Sequence, residues 1–142
     1  MTMIEMLTGP EVGTPVLTET DQIVSDLFQV LASPIRLAVL RLLPQGERCV
    51  GDVLDDLGIA QARLSNHLAC LRNCGLVRTR REGTFVYYAI ADPRVAEIVH
   101  LGDDLAATNA AELERCPVVS ARASVRLRKR SPRSHPERRG VQ

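Results

Sequence analysis

The run Ile59-Ala-Gln-Ala-Arg-Leu-Ser-Asn-His-Leu-Ala-Cys-Leu-Arg-Asn-Cys74 decides how the rest of the chain reads. With about 100° of rotation per residue in a helix, Leu68 and Leu71 fall within about 40° of Leu64, giving a stripe that must be buried. Ala62, Asn66, Ala69 and Asn73 lie roughly opposite, so the outer face is small and polar. A helix that enters the major groove of DNA needs such a face, and Gln61, Arg63 and Ser65 flank it near the N-terminal end, where recognition helices touch base edges. Asn and Gln match adenine, Arg matches guanine, and Ser bonds to bases or phosphates. The bland alternative is a solvated helix face, and the neighbouring segments decide against it.

Upstream, Val50, Val53, Leu54 and Leu57 have helical spacing, and Gly58 closes that helix in the left-handed conformation. The short connection to the next helix is the signature of a helix-turn-helix. Before it, Ser33-Pro34 supplies an N-cap and a first-turn proline for a short helix through Leu37, Val39, Leu40, Leu42 and Leu43, stopped by Pro44. Ile23, Leu27, Val30 and Leu31 put a further helix, from near Asp21, on one apolar face. Residues 1 to about 19, with Gly9, Pro10, Gly13 and Pro15, read as a flexible arm.

Downstream, Gly75 closes the recognition helix. Residues 76–81 and 85–90 then read as two strands around Glu82-Gly83-Thr84, which makes a winged helix. Arg78, Arg80 and Arg81 on this wing are candidates for phosphate or minor-groove contact, against ordinary hairpin solubility. Asp92-Pro93 opens a long last helix with Val95, Ile98, Val99, Leu101, Leu105 and Leu113, expected to run to about Cys116. It is longer than the small domain can cover, so a homodimer packed through the first and last helices is expected. The fold class is thus mainly α with a small β-hairpin, with residues 20–116 as the winged helix-turn-helix domain.

Hydrophobic residues make up 45% of the 142 and aromatics only 3%, enough for one core built on Leu, Val, Ile and Ala. No stretch approaches a membrane span and no secretory start is evident, so a cytoplasmic protein with no membrane partner is expected. The net charge of +1 hides an asymmetry: residues 1–116 carry 10 basic and 16 acidic side chains, and residues 117–142 carry eight and one. That basic tail reads as disordered. The acidic domain still suits DNA, because Arg63, Arg72, Arg78, Arg80 and Arg81 cluster on the recognition helix and wing.

Of four cysteines, Cys70 and Cys74 are about 40° apart on the helix wheel and turned away from the polar face. Residues at i and i+4 are about 5–6 Å apart at Cβ, too far for an unstrained disulfide, yet two sulfurs can converge on one metal ion. Thiolates select soft or borderline ions: cadmium, lead, mercury, arsenite, zinc or copper(I). Cys116, at the end of the last helix, is the natural third ligand, within the chain or from a partner copy. The bland reading of a cysteine pair is packing. Cys49 reads as structural. His67 reads as a capping or phosphate-contacting imidazole, and His100 with Asp103 or Asp104 as a solvated face. A redox switch through the same thiols is the alternative signal. A thiol enzyme is disfavoured, because beyond His67 no base or orienting group is in view.

The segments Leu31-Ala-Ser-Pro-Ile-Arg-Leu-Ala-Val-Leu, Cys49-Val-Gly-Asp-Val, Leu64-Ser-Asn-His-Leu-Ala-Cys-Leu-Arg-Asn-Cys-Gly-Leu-Val and Arg81-Glu-Gly-Thr-Phe-Val-Tyr-Tyr-Ala together resemble the ArsR/SmtB family of metal-responsive repressors. Cysteines at the positions of Cys70, Cys74 and Cys116 look like the cadmium/lead-sensing CmtR type within it. That resemblance implies a homodimer that holds double-stranded operator DNA when metal-free and releases it on binding cadmium or lead, with zinc, arsenite or mercury as other effectors. The Cys-Val-Cys motif of other branches is only half present, as Cys49-Val50-Gly51, and the basic tail has no counterpart.

Overall fold

The structure is a computed structural model that describes residues 16–121; the expectations for residues 1–15 and 122–142 lie outside this range. The elements in order are α1 (Glu19–Leu31), α2 (Pro34–Leu42), a 3₁₀ turn (Leu43–Gln45), β1 (Arg48–Cys49), α3 (Val50–Leu57), α4 (Gln61–Asn73), β2 (Val77–Glu82), β3 (Phe85–Ile90), α5 (Pro93–Thr108) and α6 (Ala110–Arg115). This is the expected winged helix-turn-helix, mainly helical with a small antiparallel sheet.

Local chemistry sets most of the boundaries. Thr18 and Asp21 form a reciprocal capping box, in which Thr18 Oγ1 accepts from the Asp21 N–H at 3.2 Å and Asp21 Oδ2 accepts from the Thr18 N–H at 2.7 Å. Helix α1 therefore starts two residues before the expected Asp21. Ser33 Oγ accepts from the Arg36 N–H at 3.4 Å, with Pro34 at the first position of α2. Pro44 ends α2 as expected, but the chain tightens through the 3₁₀ turn before leaving.

Helix α4 ends in a Schellman motif. The Leu76 N–H donates to Leu71 O at 3.0 Å and the Gly75 N–H to Arg72 O at 3.1 Å. Gly75 sits at φ 75°, in the left-handed region, and Leu76 and Leu71 are both buried.

The sheet order is β1-β3-β2, all antiparallel, with Arg80 opposite Tyr87, Arg81 opposite Val86 and Glu82 opposite Phe85. Gly83 supplies the positive φ that a two-residue hairpin loop requires. Strand β1, two residues pairing with Tyr87 and Tyr88, adds a third strand where a bare hairpin was expected; two residues are too few to show a period of two in sequence.

The core is contiguous. Val39 and Leu40 of α2, Val53 of α3 and Leu64, Leu68 and Leu71 of α4 are essentially fully buried, and Leu31, Val77, Tyr88, Val95 and Val99 close around them. The leucine stripe of α4 is thus the one deduced from the wheel. Ile23 is 60% exposed, and Val24 and Phe28 are exposed at 44% and 57%, so α1 carries an apolar face that one chain leaves uncovered.

The described chain divides into two compact units, one ending at Val99 and one beginning at His100, with α5 running through the division. In the second unit the expected long helix is broken. Thr108 Oγ1 donates to Asp104 O at 3.1 Å and Asn109 Nδ2 donates to Leu105 O at 2.9 Å. These side chains compete for helix carbonyls, α5 stops at Thr108, and α6 follows. Residues 117–121, read from sequence as the start of a disordered tail, are helical; Pro117 opens that turn, and the carbonyl of Cys116 accepts from the Ser120 N–H at 2.9 Å. Among the described residues no single helix is long and apolar enough to cross a membrane.

Candidate nucleic-acid interface and thiol pair

Burial of Leu64, Leu68 and Leu71 forces the opposite side of α4 outward. Gln61, Ala62, Arg63, Ser65, Asn66 and Asn73 are all exposed, and His67 is half-buried at the edge of this face. The N-cap of α4 is Ala60, which offers no side-chain acceptor, and no acidic residue lies in the first turn. A helix start of this kind presents N–H groups and positive potential to a phosphate. The structure thus brings Gln61, Arg63, Ser65, Asn66 and His67 together on one element. Desolvation, then the charges of Arg36 and Arg63, holds the His67 imidazole below its ordinary range, so at neutral pH it is a hydrogen-bonding group and not a cation.

The wing arginines divide by strand face. Arg80 is engaged within the protein: it donates to Glu47 Oε2 at 2.8 Å and to Glu82 Oε2 at 2.7 Å, and its guanidinium lies 4.8 Å from the centre of the Tyr87 ring. Arg81, one residue on, points to the other face of β2. Arg63, Arg78 and Arg81 form no salt bridge with any other described residue, although Arg78 lies near enough to Glu47 to help lower the pKa of that carboxyl, after the Arg80 hydrogen bond.

Cys70 lies on the last turn of α4, half-buried, and Cys74 is the C-cap, exposed, its N–H donating to Cys70 O at 3.0 Å. The Cys74 thiol is pushed up, first by loss of solvent, then by the adjacent Cys70, with Arg36 opposing. Sequence reasoning missed Arg36, the first residue of α2 to find its side-chain partners on other elements. Its Nη1 donates to Cys70 Sγ at 3.7 Å, its Nε to Val30 O at 2.5 Å and its Nη2 to Gln29 O at 3.5 Å. No local spacing signals a contact across 34 residues.

The remaining candidates stand apart from this pair. Cys49 is the N-cap of α3 and its Sγ donates to Asp52 Oδ2 at 3.2 Å, a structural setting. His100 and Asp104 face each other at 3.6 Å with both side chains well exposed. Cys116, in the second unit, is half-buried between α6 and the helical turn that follows. Among the described residues of one chain, no group of three or more His, Cys, Asp or Glu side chains could hold a metal ion. Cys70 and Cys74 are two free thiols at the end of α4.

Comparison with known proteins agrees with the geometry. A family model described as "Bacterial regulatory protein, arsR family" matches residues 33–79, the stretch from the α2 cap to the first residues of the wing. The chain is similar to the probable mercury resistance operon repressor of Streptomyces lividans, 46% identical over 89 residues, which cover 63% of this chain and 71% of that protein. Among solved structures, Rv0081 of Mycobacterium tuberculosis superposes with a TM-score of 0.61 at 32% identity, covering 68% of this chain and 97% of that one. A homodimeric winged helix-turn-helix DNA-binding domain from Mycobacterium bovis superposes with a TM-score of 0.54 at 34% identity, covering 66% and 90%.

Proposed function

From the premise that this chain belongs to the ArsR family of transcriptional regulators, we propose that it is a metal-responsive repressor. It binds operator DNA as a homodimer through α4 and the wing, and lets go when Cys70 and Cys74, joined by Cys116, take up a soft cation, cadmium or lead before others. The observation that carries this reading is the placement of two free thiols, four residues apart, at one end of the helix whose other end presents Gln61, Arg63, Ser65 and Asn66.

The donor set suits a soft cation: two sulfurs, no carboxylate grouped with them among the described residues, and a third thiol to be supplied by Cys116 of a second copy. Cation binding requires both thiols to lose protons, and the ligands gathered on α4 fix that end of the helix. DNA contact requires the two recognition helices of a dimer to match successive major grooves. Two demands on the placement of one helix make ligand and DNA oppose each other. By reciprocity DNA weakens cation binding by the same factor, for coupling of this kind about 5- to 150-fold.

Arg63, Arg78 and Arg81 supply the phosphate and base contacts on a domain that is acidic overall, together with the uncapped start of α4. Mercury is the second reading, favoured by the Streptomyces relative described as a probable mercury resistance operon repressor. The deciding experiment follows fluorescence anisotropy of the chain on its own promoter DNA during titration with cadmium, lead, mercury, arsenite and zinc. The expected result is release by cadmium and lead, and Cys70→Ser, Cys74→Ser and Cys116→Ser variants that hold DNA but ignore both. Release by mercury at levels where cadmium and lead do nothing would replace the preferred effector. Release that persists in all three variants would reject the thiol site, and release by peroxide without metal would make the thiols a redox switch.

A further inference from the structure

Much of the positive charge of the described residues is used within the fold. Arg48 is paired with Asp56, Arg80 with Glu47 and Glu82, Arg94 with Asp92 and Arg115 with Glu112, and Arg36 donates to carbonyls in the last turn of α1. A paired arginine brings its own carboxylate, so a phosphate beyond the pair meets little net charge. Arg63, Arg72, Arg78 and Arg81 are left without a salt bridge to another described residue, on a domain whose acidic side chains outnumber its basic ones. The balance reverses beyond the described residues. Residues 122–142 carry seven arginines and one lysine against the single Glu137, and no acidic residue lies between Glu114 and Glu137. The large apolar side chains of that segment are Val125, Leu127 and Val141, too few to seat it on an apolar groove, so its partner must be one that charge selects.

We propose that residues 122–142 are a second DNA-binding segment, which grips the phosphates of duplex flanking the site read by α4 and the wing and has no preference for base sequence. The proposal rests on the DNA-binding part of the functional reading and on no effector. Duplex DNA carries one negative charge per about 1.7 Å of axis, and each protein cation that displaces a condensed counterion adds salt-dependent affinity. Such contacts hold the protein on the duplex without reading it. Arginine suits the task, because its fork matches two phosphate oxygens and its charge is permanent. Reach is sufficient wherever the last helix points: the 21 residues after Ala121 span at most about 70–75 Å when extended, about two turns of duplex. Base discrimination then belongs to Gln61, Arg63, Ser65 and Asn66, and retention on DNA to the basic segment.

The test keeps the full chain and compares wild type with a variant carrying R126Q, R128Q, K129Q, R130Q and R133Q together. Anisotropy is followed at several salt concentrations on promoter DNA and on an unrelated duplex of the same length. The variant is expected to lower the slope of log affinity against log salt by about three units or more, at about 0.9 unit per phosphate. Its affinity for both duplexes should fall by the same factor, at least about tenfold at low salt, so that the ratio between them is unchanged. An unaltered slope overturns the proposal, as does a loss confined to promoter DNA, which would make the segment a reader of sequence. Tighter binding by the variant also overturns it and assigns the segment to the acidic surface of its own domain. Should the variant fail to fold, the wild type answers alone: trypsin cleavage after Arg126, Arg128 and Arg130, followed by mass spectrometry, should slow when the unrelated duplex is added, and unchanged cleavage overturns the proposal. Cosedimentation of the wild type with phosphatidylserine vesicles, beside an unaltered DNA slope, would assign the segment to a membrane surface instead. Failure of the underlying reading has a different signature, a folded wild type that binds neither duplex at any salt concentration, and it removes the proposal with it.

Discussion

At the scale of single residues, three wing arginines that look equivalent in sequence have different surroundings. Arg80 is held by two carboxylates and a tyrosine ring, whereas Arg78 and Arg81 form no salt bridge with a described residue. Each phosphate contact contributes about one unit to the slope of log affinity against log salt. Arg81→Ala is therefore expected to lower that slope by about one unit, while Arg80→Ala leaves it nearly unchanged; an equal loss in both, measured by anisotropy at several salt concentrations, would contradict this division. His67 gives a second residue-scale expectation. Its imidazole is held below the ordinary 6.5, chiefly by desolvation and then by Arg36 and Arg63. Well above that pH it is neutral in both the folded and unfolded chain, and below it the unfolded chain takes up the proton first, so folding stability falls as pH drops. Urea midpoints of the metal-free protein should decline from pH 6.5 downward, and His67→Gln should flatten that part of the curve.

At the scale of elements, the end of α4 shows how backbone conformation places a functional group. Gly75 adopts φ 75° to close the Schellman motif, and an added Cβ would meet nothing within 4 Å. Gly75→Ala should thus cost only the left-handed backbone penalty, about 1–2 kcal/mol, whereas Leu71→Ala, emptying a fully buried site beneath the same turn, should cost about 2–5 kcal/mol. Chemical denaturation distinguishes them, and a Gly75→Ala protein less stable than the Leu71→Ala protein would mean that the turn is strained by something other than φ. Elements with local signals were legible from sequence: the Ser33-Pro34 start, the Gly58 and Gly75 stops and the leucine stripe of α4 follow from short-range caps and a 3.6-residue period. Strand β1 was not, being two residues long, and neither was the break at Thr108 and Asn109, where side chains bond to carbonyls four residues back. Within the site, the exposed face of α4 and the Cys70–Cys74 pair follow from helical rotation alone. The Arg36–Cys70 contact and the neutralisation of Arg80 by Glu47 arise from tertiary packing, which no spacing within one element encodes.

At the scale of the whole molecule, the unburied apolar side chains ask for a partner. Ile23 and Phe28 on α1 are each more than half exposed, as are Leu101 and Leu105 on α5. Fully burying a side chain of this size contributes about 1.5–3 kcal/mol, so a few of them, duplicated by two-fold symmetry, suffice to drive association. A symmetric dimer also presents two copies of α4, and paired half-sites one helical turn apart are what such a pair reads. Phe28→Glu combined with Ile23→Glu should yield a folded monomer, because neither side chain belongs to the buried core, and the circular dichroism spectrum should match that of the wild type. The same variant should lose operator binding down to the weak, salt-sensitive level of a single domain on phosphates. Analytical ultracentrifugation and anisotropy on one preparation test both halves. A variant that stays dimeric would move the interface off α1, and a monomer that still binds the operator at wild-type affinity would show that DNA recognition does not depend on pairing.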